Sequence, residues 1–486
     1  MDTTKDRFSP VGRIGAQVLA MLAVTAGRAA GALARRLGRG GGTSLPGKLA
    51  YQIDPDILRY LARQLRHGSV VLTGTNGKTT TSGMTASALR AAGIRVWRNR
   101  EGANLVQGIA AALVIRSTLM GRLRWHGDAA AVLEVDEAAF PAVVRAVRPR
   151  IIVVTNVFRD QLDRYGEIDT VLTRWATGIR SLPSETQLVL NADDPSVASL
   201  ATVASHLRVT YFGLESALPD RSDEPADTDV VDTRTCPVCA APLSVSLRLY
   251  SHLGHWACSA CGFARPLPDV IARDITSTGM QGSAFTCVID GTSLAASVPL
   301  PGVYNVYNAI AAVAACHALG VPPAVAVEAI ARFEAAFGRG ERIQANGRQV
   351  RLLLAKNPTG MNEVLRVLAA ESRPHLLLLL NDRFADGEDV SWIWDARFEL
   401  LAPATPASIT VSGTRAYDLA VRLKYAGISP VTVDPSMTSA LDRALAATPA
   451  GETLYVVPTY TALLDVRGVL ERRGYTTPFW EPAHAH

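Results

Sequence analysis

The sequence lacks a charge excess of either sign. Its 486 residues include 49 lysines and arginines against 44 aspartates and glutamates, which gives a formal net charge of only +5. These charges are spread along the chain, whereas nucleic-acid-binding proteins concentrate basic residues. Composition therefore gives no support for a nucleic-acid partner. The length exceeds that of one ordinary domain, so we expect two to four units with ample cores.

Cysteine is also scarce. Only six cysteines occur, and four of them form two tight pairs. A secreted disulfide framework would use many more cysteines in a shorter chain, so this class of protein is excluded. The pairs favour metal ligation in a reducing compartment, and we expect a cytoplasmic protein.

A long uncharged apolar run is missing as well. The apolar segment from Arg13 to Arg36 is rich in Ala and Gly, and its longest uncharged run covers residues 14–27. That run is shorter than the roughly 20 residues that span a bilayer, and no convincing signal-peptide cleavage site follows it. We predict an amphipathic helix in an N-terminal segment over residues 1–46. It either touches a membrane or another domain, or packs on the core.

Strand-like and helical patterns alternate along the rest of the chain. Apolar runs at 130–135, 151–155 and 187–191 alternate with Ala-rich helical stretches, which predicts a parallel sheet covered by helices. A second α/β unit has strand candidates at 350–354, 375–380, 408–411 and 453–457. We therefore predict an α/β protein with a central domain over 47–340 and a smaller C-terminal domain over 341–486.

The strongest chemical signal is a glycine-rich turn between a predicted strand and a helix. Such a turn presents backbone N–H groups to phosphate oxygens, Lys78 neutralises the terminal phosphates and Thr79 binds magnesium. The pattern is not a strict P-loop, because Leu72 occupies the position of the first glycine. The residues predicted to bind ATP are Gly74, Thr75, Asn76, Gly77, Lys78, Thr79 and Thr80.

The paired cysteines have the spacing of a zinc ribbon. Cys236 and Cys239 precede Cys258 and Cys261 in an insertion that we place at 220–266. Four thiolates form a closed tetrahedral site, so the predicted zinc is structural. His252 and His255 are alternative ligands, although we expect both to be surface residues. The two other cysteines, Cys287 and Cys316, are expected to pack as small apolar residues.

The string from Thr73 to Thr80 resembles the nucleotide motif of Mur ligases and folylpolyglutamate synthetases. The resemblance implies a Mur-ligase-type P-loop central domain in which Lys78 and Glu134 are catalytic and Glu134 binds magnesium together with Thr79. Gln161 stands where these enzymes usually have a metal-binding His, and a neutral amide is a poorer cation ligand.

Further segments are similar to motifs of the same family. By resemblance, Asn305 contacts the adenine and Arg339 reaches the nucleotide when the domains close. Asn308 is either part of that motif or a packing residue, and a solvated Arg339 is equally compatible with the sequence. Residues 191–194 resemble the family's N-x-D-D segment and read equally well as a turn.

The C-terminal domain carries Lys356-Asn357-Pro358, similar to the H-N-P segment of Mur ligases, and an acid- and tryptophan-rich segment at 381–395. Together they resemble the C-terminal domain of the MurT family of synthetase subunits. In that family an acidic residue completes the active site of a partner glutaminase. We favour Asp389 for this role, with Asp386 and Asp395 as alternatives.

The resemblance implies ATP-dependent amidation of the D-glutamate α-carboxylate of the lipid II stem peptide, at the inner face of the plasma membrane. Ammonia would come from a GatD-like glutamine amidotransferase in a heterodimer, because no Cys-His glutaminase site is visible in this chain. About 70 residues precede Thr73, too few for the usual substrate domain of Mur ligases. Two alternatives stay open: a folylpolyglutamate-synthetase-like ligase that adds an amino acid, and a nonenzymatic ATP-dependent scaffold.

Overall fold

The computed structural model describes residues 10–36, 44–99, 103–124, 126–160, 168–216, 232–334 and 338–477. The helices are α1 Pro10–Arg36, α2 Leu45–Ile53, α3 Ile57–Ala62, α4 Lys78–Ala91, α5 Val106–Ile115, α6 Phe140–Val147, α7 Ile168–Arg180, α8 Pro195–Ser199, α9 Val303–Ala318, α10 Pro323–Ala331, α11 Pro358–Ala369, α12 Ala416–Tyr425, α13 Met437–Ala447 and α14 Tyr460–Arg472. The strands are β1 Ser69–Thr73, β2 Arg95–Arg98, β3 Ala129–Glu134, β4 Ile151–Val154, β5 Gln187–Asn191, β6 Arg208–Leu214, β7 Ser244–Tyr250, β8 Leu253–Ala257, β9 Val270–Ser277, β10 Ser283–Ile289, β11 Thr292–Val298, β12 Arg339–Ala345, β13 Arg348–Leu353, β14 His375–Leu379, β15 Ser408–Ser412, β16 Thr432–Val433 and β17 Thr453–Pro458.

The larger sheet has nine strands in the order β11-β10-β9-β6-β5-β4-β1-β3-β2. The strands from β2 to β9 in this order pair in parallel, which confirms the predicted parallel sheet. The antiparallel edge formed by β10 and β11 was not predicted. Asp290 and Gly291 join these two strands, and both have positive φ. Asp-Gly is typical of a tight hairpin turn, so the sequence did contain a signal for this hairpin. The expected alternation of strands and helices did not take it into account.

Helices cover both faces of this sheet. On one face α4, α9 and α10 build a core with Val70, Leu72 and Val153. On the other face α3, α5, α6 and α7 pack against Val71 and Ile152. Successive side chains of a strand point to opposite faces, so a strand covered on both sides is apolar throughout. This explains the continuous apolar run that identified β4 and the apolar residues that make up most of β1.

The second sheet has six strands in the order β12-β13-β17-β14-β15-β16. Only β12 is antiparallel to its neighbour; the other strands pair in parallel. Helices α11 and α12 pack on one face, and α13 and α14 pack on the other. The four strand candidates of the C-terminal unit are confirmed, with ends that differ by at most two residues.

Two peripheral units are attached to the central sheet. The β7–β8 hairpin of the cysteine insertion packs through Leu249, Tyr250 and Leu253 on the core beside α9. Helix α1 confirms the predicted N-terminal helix and packs on α2 and α5. Within the described residues, one helix, Gly15–Ala34, could cross a membrane by length and composition. Core helices and signal sequences share these properties.

Candidate active site

The phosphate-binding loop depends on two glycines. Gly74 and Gly77 have φ of 137° and 85°, which disfavours residues with a Cβ atom. A Cβ atom on Gly77 would lie 2.0 Å from Oδ1 of Asn308, and one on Gly74 would lie 2.1 Å from Oγ1 of Thr155. Both glycines are therefore required by conformation and by close approach. Asn308 packs on the loop and accepts a hydrogen bond from the hydroxyl of Thr81 at 3.1 Å.

Lys78 is held inside the loop. Its Nζ donates to the carbonyl oxygens of Gly74 and Thr75, and it forms an ion pair with Oε1 of Glu137 at 2.7 Å. Burial raises the pKa of Glu137, although the charges of Lys78 and Lys356 act to lower it. The resemblance had singled out Glu134 as a magnesium ligand and had predicted no partner for Lys78. The partner of the lysine is Glu137, three residues further along.

The two predicted magnesium ligands lie side by side. The hydroxyl of Thr79, in the first turn of α4, donates to Oε2 of Glu134 at 2.7 Å, and Glu134 ends the neighbouring strand β3. Magnesium prefers hard oxygen ligands and usually binds one or two carboxylates together with phosphate oxygens. This hydroxyl and carboxylate therefore fit a magnesium ion beside the loop. Gln161 lies outside the described residues.

A cavity of about 290 Å³ opens between the two sheets, above the phosphate loop. The central domain contributes the loop, Glu134, Glu137, Tyr250, Tyr304, Asn305 and Asn308, and the second sheet with the loop after β13 contributes Arg339, Lys356 and Asn357. The structure therefore brings both predicted nucleotide contacts, Asn305 and Arg339, to one cavity. The amide of Asn305 is fixed, because it donates to the carbonyl of Pro301 at 2.8 Å and accepts from Asn308 at 3.0 Å.

Polar contacts join the two domains across this cavity. Lys356 forms an ion pair with Asp160 at 2.5 Å, and the amide of Asn357 donates to Oδ1 of Asn76 at 3.0 Å. Burial acts to lower the pKa of Lys356, but the carboxylates of Asp160 and Glu137 outweigh burial and raise it. The phosphate loop thus meets the segment that resembles H-N-P.

Asp193 and Asp194, which follow β5, have a structural role. Asp193 is buried, forms an ion pair with Arg265 at 2.6 Å and accepts a hydrogen bond from the hydroxyl of Tyr307 at 2.7 Å. Asp194 caps α8 through the amides at its start, and its other oxygen lies 3.4 Å from Nε2 of His252. This aspartate pair therefore attaches the cysteine insertion to the core.

The surface position predicted for His252 is wrong. Its side chain is buried at the tip of the β7–β8 hairpin, where the ring packs edge-on against Phe158 with centroids 4.9 Å apart. The neighbouring Tyr250 lines the cavity. The burial of His252 and the position of Tyr250 in the cavity have no local sequence signal, because both depend on where the hairpin tip packs on the core. His255, by contrast, is partly exposed.

The four paired cysteines form one cluster, with sulfur atoms all within 4.8 Å of one another. Cys236 and Cys261 lie 3.7 Å apart, and Cys239 and Cys258 lie 3.5 Å apart. Four thiolates at zinc-bond length from a central ion would be separated by roughly 3.8 Å. The cluster therefore fits a tetrahedral metal ion.

The remaining cysteines are buried, as expected for small apolar residues. Cys287 lies in β10 and Cys316 in α9. Burial raises the pKa of Cys287 to about 11 and that of Cys316 to about 12. Neither thiol is suited to act as a nucleophile.

The three candidate acids of the C-terminal domain differ in exposure. Asp386 is buried and accepts hydrogen bonds from the amide and hydroxyl of Thr461, so its carboxylate is used inside the domain. Asp389 and Asp395 are exposed. Asp389 accepts from the amide of Ser391 at 2.8 Å, and this hydrogen bond lowers its pKa. An ionised carboxylate therefore stands at the surface at position 389.

The fold and this cavity define a Mur-type ligase. Residues 72–235 match the family model of the Mur ligase middle domain. A pseudomurein peptide ligase type C from Methanothermus fervidus superimposes with a TM-score of 0.63 at 22% identity, covering 86% of this chain and 81% of that one. The MurF ligase of Thermotoga maritima, solved with ADP, has a TM-score of 0.59 at 12% identity, covering 86% and 83%.

More specific similarities narrow this class. Residues 354–463 match the model of the MurT ligase C-terminal domain. The MurT subunit of the glutamine-hydrolysing lipid II isoglutaminyl synthase from Streptococcus pneumoniae is 35% identical over 457 residues, covering 93% of this chain and 97% of that protein. The MurT subunit from Staphylococcus aureus is 34% identical over 433 residues, covering 89% and 93%. The chain belongs to the MurT family.

Proposed function

We propose that this chain is the synthetase subunit of a lipid II isoglutaminyl synthase. It uses ATP to convert the α-carboxylate of the stem-peptide D-glutamate into the amide of D-isoglutamine, a step of peptidoglycan synthesis. The observation that carries the proposal is that the phosphate loop and the MurT-type C-terminal domain line the same cavity. The similarity along nearly the whole length of two MurT subunits supports the choice of reaction.

Phosphorylation is needed because a carboxylate has no adequate leaving group for attack by ammonia. Bound ATP supplies the phosphoryl group, which gives an acyl phosphate from which ammonia displaces phosphate. The amides of residues 74–80 bind phosphate oxygens, and Lys78 exchanges part of its contact with Glu137 for the terminal phosphates. Thr79 and Glu134 hold magnesium. Asn305 and Arg339 contact the nucleotide from the two sides of the cavity.

The cysteine cluster binds structural zinc in this proposal. All four ligands come from the protein, so the site has no open position for water or substrate. The cysteine pairs lie before and after the β7–β8 hairpin, so a zinc ion held by them would join these two segments and help keep the hairpin tip on the core. We also propose the domain division 47–340 and 341–486 with an insertion at 220–266. Residues 100–102, 125, 161–167, 217–231, 335–337 and 478–486 of this span lie outside the described part.

Ammonia is supplied by a partner glutaminase of the GatD type, which contacts the C-terminal domain. The side chains of Phe384, Trp394, Tyr417 and Tyr425 are each at least half exposed. Exposed aromatic residues are typical of protein interfaces. Asp389 lies in the same segment as Trp394 and carries an ionised carboxylate, so we propose that it orients the histidine of the partner.

The reaction is tested by mass spectrometry of lipid II after incubation with ATP and the purified chain. Ammonium alone should replace the carboxylate with a carboxamide, and glutamine should do so only when the candidate partner is added. A mass gain equal to an amino-acid residue would identify an amino-acid ligase instead. No mass change under any condition, with nucleotide binding intact, would indicate a scaffold.

A further inference from the structure

The N-terminal helices form a surface without acidic residues. The described residues 10–36, 44–53 and 103–124 contain no Asp or Glu, although they contain eight Lys and Arg residues. Helices α1, α2 and α5, which come from these segments, pack against one another. Ordinary water-facing surfaces intersperse charges of both signs. The basic charge of the chain, which is nearly balanced overall, is therefore locally in excess here.

This surface is also apolar on its outer side. The buried face of α1 consists of small residues such as Ala20, Ala23 and Val24. Its opposite face carries Val18, Leu22 and Leu33, each more than half exposed. The outward face of a surface helix is normally polar. Only 33% of the apolar window in α1 is buried inside the protein, so packing on the core does not account for its composition.

The loop after α5 extends the same surface. Leu119 and Met120 at its tip are each more than half exposed. The loop lies against α1, because Arg28 donates to the carbonyl of Ser117 and a Cβ atom on Gly121 would lie 3.4 Å from that of Ala20. The exposed Arg122 and Arg124 follow the tip directly. We call α1, α2, α5 and the loop at 116–124 the N-terminal platform.

We propose that the N-terminal platform docks on an anionic lipid membrane. Exposed leucine and methionine side chains next to arginines, with no acidic residue among them, match the headgroup and acyl boundary of such a bilayer. A second copy of this chain is a poorer occupant, because two cationic platforms would repel each other.

The N-terminal platform lies near the cavity, where it could bring a lipid-linked acceptor to the phosphate loop. This step of the inference rests on the proposed function. Asn104 lines the cavity and lies two residues before α5, and the loop with Leu119 and Met120 follows the other end of that helix. The ten residues of α5 span roughly 15 Å. Docking would therefore hold the cavity close to the membrane surface.

The test is flotation of the full chain with vesicles of phosphatidylcholine, with and without phosphatidylglycerol. We expect flotation with the anionic vesicles that weakens with salt, and about a tenfold or greater loss of binding in a Leu22→Asp, Met120→Asp variant. An Arg122→Glu, Arg124→Glu variant should lose the preference for anionic vesicles. Leu267→Asp is the matched control, because Leu267 is an exposed leucine directly after the cysteine insertion and outside the N-terminal platform, so its replacement should leave flotation unchanged.

Absence of flotation, or equal flotation of the wild type and the Leu22→Asp, Met120→Asp variant, would overturn the proposal. Light scattering that shows a dimer abolished by the same variant would assign the surface to a second copy. Melting curves and ATP binding without lipid should match the wild type in every variant, which excludes misfolding. Failed amidation with intact flotation would count against the proposed function, and failed flotation with intact amidation of a soluble acceptor would count against docking alone.

Discussion

The ion pair between Lys78 and Glu137 predicts how bound nucleotide changes the free energy of unfolding of a Glu137→Gln variant. The two side chains are 10% and 6% exposed, and their charged atoms are 2.7 Å apart. Glu137→Gln keeps the shape and leaves the Lys78 ammonium without its counter-charge. Breaking a buried pair typically costs 3 to 5 kcal/mol. We expect the lower end, about 3 kcal/mol, because two carbonyl contacts of Lys78 remain and because burial already disfavours the carboxylate, as the raised pKa of Glu137 indicates.

Nucleotide should reduce this deficit. Phosphate oxygens replace the lost counter-charge in the variant, whereas in the wild type they must compete with Glu137 for the lysine. The difference in free energy of unfolding between the two proteins should therefore fall to less than half when a nonhydrolysable ATP analogue and magnesium are saturating. Denaturant unfolding of both proteins, with and without the analogue, measures all four free energies.

A second buried ion pair serves as the control. Arg467 and Glu341 are 2.7 Å apart, with side chains 9% and 11% exposed, and neither lines the cavity. Glu341→Gln should destabilise the protein by a similar amount whether or not the analogue is present. A deficit of Glu137→Gln that stays constant on adding nucleotide would refute the proposed exchange of Glu137 for phosphate at Lys78.

Further predictions concern magnesium, the metal cluster, the partner and the hairpin tip. Glu134→Gln should lower ATP-dependent turnover by roughly a hundredfold and raise the magnesium concentration needed for half-maximal activity, as a magnesium titration would reveal. Cys239→Ser, or treatment with a zinc chelator, should lower the melting temperature and release zinc measurable with a chromogenic dye; an unchanged zinc content would contradict the assignment. Asp389→Asn should abolish amidation with glutamine and the partner while sparing amidation with ammonium, and Asp395→Asn should spare both. Tyr250→Ala should raise KM for ATP without unfolding the protein, as judged by circular dichroism, and an unchanged KM would place the ring outside the nucleotide site.

Local patterns were sufficient for much of the architecture. Strands β5 and β17, which begin at Gln187 and Thr453, were predicted at their positions because buried parallel strands are apolar throughout. The phosphate loop and the cysteine pairs were predictable because their chemistry requires residue types at fixed short spacings. A hairpin signal at Asp290 was present in the sequence and was overlooked.

The cavity, in contrast, was decided by contacts between distant residues. Asp160 and Lys356 are 196 positions apart, and Asn76 and Asn357 are 281 apart. Tyr250 reaches the cavity only because the insertion folds back on the core. Sequence patterns report periodicity and short spacing, whereas these contacts arise when two sheets and a hairpin pack together. By itself the sequence determined which segments could bind phosphate and metal, and the tertiary structure decided which side chains surround them, because burial and pairing depend on how the separate cores are arranged in space.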